Sequence, residues 1–188
     1  MKNAIILHGM PDKEEYLAVK GDLKAIGHWI IWLQEALILK GIPADVPMLP
    51  EPYDPKYEQW RLVFEKYEIT PETILVGHSC GAGFLVRWLS ENNVSVGKVV
   101  LVAPWMDPTK EFTVGMFDFV INQELVNRCA ELTVMYSLDD DEGVRETVMN
   151  LKATLTGVIY REFVDKGHFT VEDMGTIAFP EILEVLAV

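Results

Sequence analysis

The stretch TILVGHSCGAGFLVRWLSE, residues 73–91, decides the fold. Its first residues form a short apolar run of strand character. From Gly81 onward the apolar residues recur at helical spacing. Between the two lies Gly77-His78-Ser79-Cys80-Gly81, a serine set between glycines where a strand passes directly into a helix. A G-x-S-x-G pentapeptide in this setting holds its serine in strained backbone, and the flanking glycines let strand and helix pass without side-chain clash. The turn puts Ser79 at a helix N-terminus, where the N–H of Cys80 can face a developing oxyanion. Ser79 is the candidate nucleophile. The plainer alternative is a turn built of small residues.

Similar units flank this one. Strands are expected at 4–8 (AIILH), 43–49 (PADVPML), 97–105 (GKVVLVAPW), 131–138 (ELTVMYSL) and 157–164 (GVIYREFV). The prolines of the second run suit a sheet edge. Helices are expected at 28–41, apolar at 29, 30, 33 and 37 and stopped by Gly41, and at 55–69, 81–93, 143–155 and 180–188. Repeated β-α order with near-continuous apolar strands predicts a mostly parallel six-stranded sheet with helices on both faces. Two long connections stand apart: a polar one over 9–27, and an aromatic-rich one over 105–128 that ends in a short helix. Such connections beyond strand C-termini carry ligand sites in open α/β sheets.

A serine hydroxyl needs a base. Of four histidines, His168 follows the last strand directly, at the same sheet edge as Ser79, and is the candidate base. His78 neighbours the nucleophile and points elsewhere, supporting the elbow. His28 begins a helix as a structural or exposed residue, and His8 ends the first strand. The base needs a carboxylate, and Asp139, Asp140 and Asp141 follow the fifth strand, giving the chain order Ser, Asp, His. Spacing leaves the choice among the three open, with helix capping and a solvated loop as the plain roles for the others. After the first strand, His8-Gly9-Met10 offers the Met10 N–H as a second oxyanion donor beside that of Cys80. Trp105, Met106, Phe112, Met116, Phe117 and Phe119 suit either a substrate wall or ordinary packing.

Composition bounds the rest. The 188 residues are 49% hydrophobic with five tryptophans, which fits one domain over 1–188 with a sizeable core. A net charge of −13 argues against nucleic acid or an anionic membrane as partner. The apolar run at 28–41 is too short to span a bilayer. Cys80 and Cys129 form no disulfide framework, and the N-terminus has no signal-peptide pattern, so a cytoplasmic location is expected. No phosphate loop, dinucleotide fingerprint or metal-ligand motif is present, so no cofactor or metal is expected.

Taken together, "LVGHSCGA" at the elbow, "YSLDDDEGV" after the fifth strand and "DKGHF" after the sixth resemble the α/β-hydrolase superfamily. Within it the chain is similar to the compact serine hydrolases of the retinoblastoma-binding protein 9 and YdeN type. The resemblance implies an α/β-hydrolase fold with a minimal lid. Its S-x-D-D segment implies Asp140 as the acid, and its G-H-F segment His168 as the base. Two features depart from it: "DDEGVRE" lacks the proline that usually follows the acid, and His8-Gly9 looks more like the wider superfamily's oxyanion motif. The implied activity is hydrolysis of small esters, thioesters or amides through an acyl-enzyme. The rival expectation is a catalytically silent scaffold that uses the same fold to bind a protein or small ligand.

Overall fold

The computed structural model describes residues 2–19 and 28–187. Its strands are β1 (Ala4–Leu7), β2 (Ala44–Asp45), β3 (Ile74–His78), β4 (Val96–Val102), β5 (Cys129–Ser137) and β6 (Ile159–Phe163). They form a six-stranded sheet in the order β2-β1-β3-β4-β5-β6, with every pair parallel. Around it lie α1 (Lys13–Ala18), α2 (Trp29–Leu39), α3 (Tyr57–Phe64), α4 (Cys80–Glu91), α5 (Glu142–Thr154), α6 (Val171–Met174) and α7 (Pro180–Leu186), with a 3-10 turn at Gln123–Arg128 before β5.

The path from β1 to β2 steps one way across the sheet, and the paths from β2 through β6 step the other. Parallel crossovers are right-handed, so α2 covers one face and α3, α4 and α5 cover the opposite one. Ring packing agrees. Phe64 of α3 meets Phe84 and Trp88 of α4, with centroids 5.4 and 4.9 Å apart, while Trp29 of α2 meets Phe179 beside α7 at 5.5 Å. Burial on both faces is why β1 and β3 are apolar without alternation and fully enclosed. In α2 the buried residues are Trp29, Ile30, Leu33 and Leu37, the stripe the spacing predicts. Each such side chain contributes about 1.5–3 kcal/mol by leaving water. The helix stops where Gly41 takes φ 78°.

The direction reverses between β1 and β3. Helices leaving these neighbours go to opposite faces, which opens a crevice at their C-terminal ends. Two registers aim the chain at this crevice. Leu7 pairs with Gly77, so Gly9 and Met10 emerge beside Ser79. Ser137 pairs with Phe163, so the aspartate loop and the His168 loop leave the sheet side by side.

Several elements differ from expectation. β2 is two residues long instead of seven, because Pro43 and Pro47 bracket it without N–H donors; it does lie at the edge. α3 ends at Phe64 rather than 69, where Lys66 and Tyr67 close 3-10-type turns onto Val63 and Phe64. α1 and α6 were not foreseen. Neither has a buried residue, so no apolar period marks them. Residues 20–27 of the expected 9–27 connection lie outside the described residues, as does Val188 of the last helix. The longest described connection, 103–122, contains no helix.

Candidate active site

Ser79 sits at φ 53°, ψ −122°, a positive-φ conformation unusual for a residue with a side chain. Such backbone costs on the order of 1–3 kcal/mol and persists where its surroundings fix it. Here they do. The Ser79 N–H donates to the Val102 carbonyl at 2.9 Å, and the Ser79 carbonyl accepts from Gly83 and Trp105, both at 3.1 Å. The elbow also depends on close approach to the loop after β1. A Cβ on Gly81 would lie 2.3 Å from the His8 carbonyl oxygen, and one on Gly9 2.9 Å from the Ser79 Cβ.

Three of the side chains singled out in the sequence come together. His168 Nε2 lies 2.9 Å from Ser79 Oγ, and His168 Nδ1 lies 2.9 Å from Asp140 Oδ1. The carboxylate offers only acceptors, so Nδ1 carries the hydrogen. Nε2 is then the lone pair that receives the Ser79 hydroxyl. The Asp140 side chain is wholly buried, and its Oδ1 also accepts the Asp141 N–H at 2.7 Å.

The three aspartates divide their roles. Asp139 bonds the Ser137 hydroxyl and accepts the Gly167 N–H at 3.0 Å, tying the aspartate loop to the His168 loop. The Ser137 hydroxyl holds the Asp139 carboxyl below its ordinary range, with the Gly167 N–H adding to the effect against some desolvation. Asp141 is the N-cap residue of α5 without a side-chain capping bond.

His168 is fixed through its own peptide. Its N–H donates to Asp173 Oδ2 at 2.8 Å, and its carbonyl accepts from His78 Nε2 at 2.8 Å. His78 therefore braces the His168 peptide directly, with its ring centroid 4.9 Å from that of His168. With Nε2 donating, His78 Nδ1 is a bare lone pair, buried without a hydrogen-bond partner. Burial drives the His78 pKa well below its ordinary value, and neighbouring histidines add to this. His8 is likewise held low by burial; its Nδ1 donates to the Gly9 carbonyl at 2.8 Å and its Nε2 accepts from Leu49 N–H at 3.4 Å.

Sequence reasoning left His28 and Asp173 outside the site. His28 caps α2 by accepting the Ile30 N–H, and its ring lies 4.9 Å from that of His78. Burial, with the charges of His8 and His168, lowers its pKa to about 3. A signal existed: a crossover helix begins at the C-terminal edge of a parallel sheet, where His28 stands. Asp173 lies on a helix too short to be foreseen.

Cys80 is the first residue of α4, whose opening N–H groups have no intrahelical acceptor. Its thiol is fully buried, and desolvation pushes its pKa far up, leaving the backbone as the part that can act. Two cavities meet at the serine and share Met10, Ser79 and His168. One, of about 240 Å³, runs past His28, His78 and Glu15; the other, of about 380 Å³, runs past Trp105, Phe112 and Val144. Of the six aromatic-loop residues noted in the sequence, only Trp105 and Phe112 line these arms. Met106, Phe117 and Phe119 line a separate cavity, and Met116 is core. Among the described residues no three His, Cys, Asp or Glu side chains group as a metal site, and no helix is long and apolar enough to cross a membrane.

An all-parallel sheet with a strained serine at its switch point is the α/β-hydrolase fold. Residues 21–188 match the serine hydrolase family model, and the chain belongs to that family. It is 28% identical over 184 residues to the Bacillus subtilis (strain 168) protein YdeN, covering 93% of this chain and 94% of that one. The crystal structure of the B. subtilis ydeN gene product superposes with a TM-score of 0.78 at 23% identity, over 100% of this chain and 97% of that one. A pyrethroid hydrolase from Sphingobium faniae JZ-2 shares the fold at a TM-score of 0.59 and 13% identity, over 99% and 96% of the two chains.

Proposed function

We propose that the protein is a carboxylesterase-like serine hydrolase acting on small esters, with thioesters and amides as chemically related substrates. The observation that carries this reading is the pair of 2.9 Å contacts joining Ser79 Oγ, His168 and the buried Asp140 at the floor of an open cleft. In this mechanism Ser79 Oγ attacks the carbonyl carbon as its proton passes to His168 Nε2. Asp140 holds the ring in the correct tautomer and stabilises the imidazolium. The N–H groups of Met10 and Cys80 receive the oxyanion of the tetrahedral intermediate. Collapse breaks the bond to the leaving group, which takes the proton from His168. A water then gives its proton to His168 and attacks the acyl carbon. Collapse of this second intermediate returns the proton to Ser79 and frees the acid.

The free thiols of Cys80 and Cys129 fit a reducing compartment and support a cytoplasmic setting. The test is labelling with a fluorophosphonate, followed by ester turnover. Wild-type protein labels; Ser79→Ala does not, and its turnover falls by on the order of 10⁶-fold, with no further loss when His168→Ala is added. Undiminished labelling of Ser79→Ala refutes the assignment.

A further inference from the structure

Of the two arms that meet at Ser79, the larger is aromatic. Building on the hydrolase reading above, we propose that Trp105 and Phe112 form a specificity wall, selecting esters that carry a flat apolar group, such as benzyl, next to the reacting carboxyl.

The wall is continuous with the reacting atoms, since Ser79, His168, Trp105 and Phe112 line one cavity of about 380 Å³. That volume lies in the range of small-ligand pockets. Phe112 is 64% exposed, an aromatic ring left in water at the mouth of a cleft. Its centroid lies 6.1 Å from that of Trp105 in an edge-to-face arrangement. Trp105 is backed by Phe117 at 5.9 Å, also edge-to-face, so its indole has a firm support. A flat apolar group entering this arm gains ring contacts and removes both rings from water.

The exposed ring rides on a pinned backbone. Buried Asp107 accepts from the N–H groups of Glu111, Phe112 and Thr113 at 3.2, 3.0 and 2.7 Å, and from the Thr113 hydroxyl at 2.9 Å. Farther along, Arg87 donates to the carbonyls of Gly115 and Met116 at 2.6 and 2.8 Å. A loop braced at two points, one of them the peptide that carries the phenyl ring, is organised before the substrate arrives, which lowers the ordering cost of binding.

Two ester series test the wall and tell which half of the substrate it holds. Methyl esters of acetic, butyric and phenylacetic acids vary the acyl group, and methyl, butyl and benzyl acetates vary the alcohol. Fluorophosphonate labelling of the same preparation tests the hydrolase reading separately. The expected result is labelled protein whose kcat/KM rises about tenfold or more from methyl acetate to the aryl member of one series. That ratio falls to about threefold or less in Phe112→Ala and in Trp105→Ala. Val114→Ser, on the same loop, 85% exposed and outside the cavity, keeps the wild-type ratio. Labelled protein that is flat in both series, or a ratio that survives both alanine variants, overturns the wall and leaves the hydrolase reading intact. Absence of labelling overturns both.

Discussion

Asp140 presents its Oδ1 to His168 Nδ1 at 2.9 Å, while Asp139, one residue earlier, turns to the Gly167 N–H. Adjacent carboxylates thus serve different ends. Asp140→Asn leaves the geometry but removes the charge that fixes the tautomer, and kcat is expected to fall about 10⁴-fold. Asp139→Asn and Asp141→Asn, all three variants being assayed with p-nitrophenyl butyrate, lose far less. A normal rate for Asp140→Asn refutes its role.

The elbow tolerates no extra atom on Gly81. With the His8 carbonyl 2.3 Å from where a Cβ would stand, Gly81→Ala forces β1 and α4 apart. The expected loss is about 1–3 kcal/mol in urea unfolding, the usual range for overpacking, together with reduced ester turnover.

Acid weakens the fold through three histidines that line one arm of the cleft. His8, His28 and His78 all have folded-state pKa values below the ordinary value, that of His28 at about 3. In the unfolded chain they protonate near 6.5, so below that pH the unfolded state binds more protons. Stability is therefore complete above about pH 6.5 and declines toward pH 3, by up to about 1.4 kcal/mol per pH unit for each histidine. Thermal unfolding followed by circular dichroism at pH 7.5, 6 and 5 gives falling midpoints. His28→Asn, which keeps a capping acceptor, flattens the slope.

Charge at the cleft discriminates among substrates. Asp12, Glu15 and Glu172 line one arm and Glu111 and Asp141 the other, and the described lining residues include no Lys or Arg. Exposed charge pairs interact by about 0.2–1 kcal/mol each, so several together make a several-fold effect. The monoanionic p-nitrophenyl hemisuccinate is expected to turn over more slowly than neutral p-nitrophenyl butyrate. The gap narrows in 0.5 M NaCl as screening shortens the reach of the carboxylates.

The central strands β1, β3 and β4 were legible because burial on both faces leaves a near-continuous apolar signature; the exposed edge strand β6 carries little of it, yet all six expected strands occur. Ser79 was legible because it follows β3 directly, and His168 because it lies in the loop that leaves β6, so sequence position put both at one edge. Asp140 was less so. Three consecutive aspartates share one loop, and the backbone turn that buries one and exposes two has no sequence marker apart from the family's S-x-D-D pattern. The bracing groups were hidden for a different reason. His28 and Asp173 act through contacts 50 and 5 residues away in sequence, from a helix cap and from a single helical turn, where no periodicity announces them. Trp105 and Phe112 differ from their aromatic neighbours in lining the cleft, and the Asp107 turn that sets residues 111–113 has no periodic sequence marker.

The peptide of His168 is clasped on both sides, by the Asp173 carboxylate at its nitrogen and the His78 ring at its oxygen. The imidazole therefore needs no lid closure to reach the serine. The entropy of aligning it is spent once, as the chain folds, and is not demanded again in each catalytic cycle.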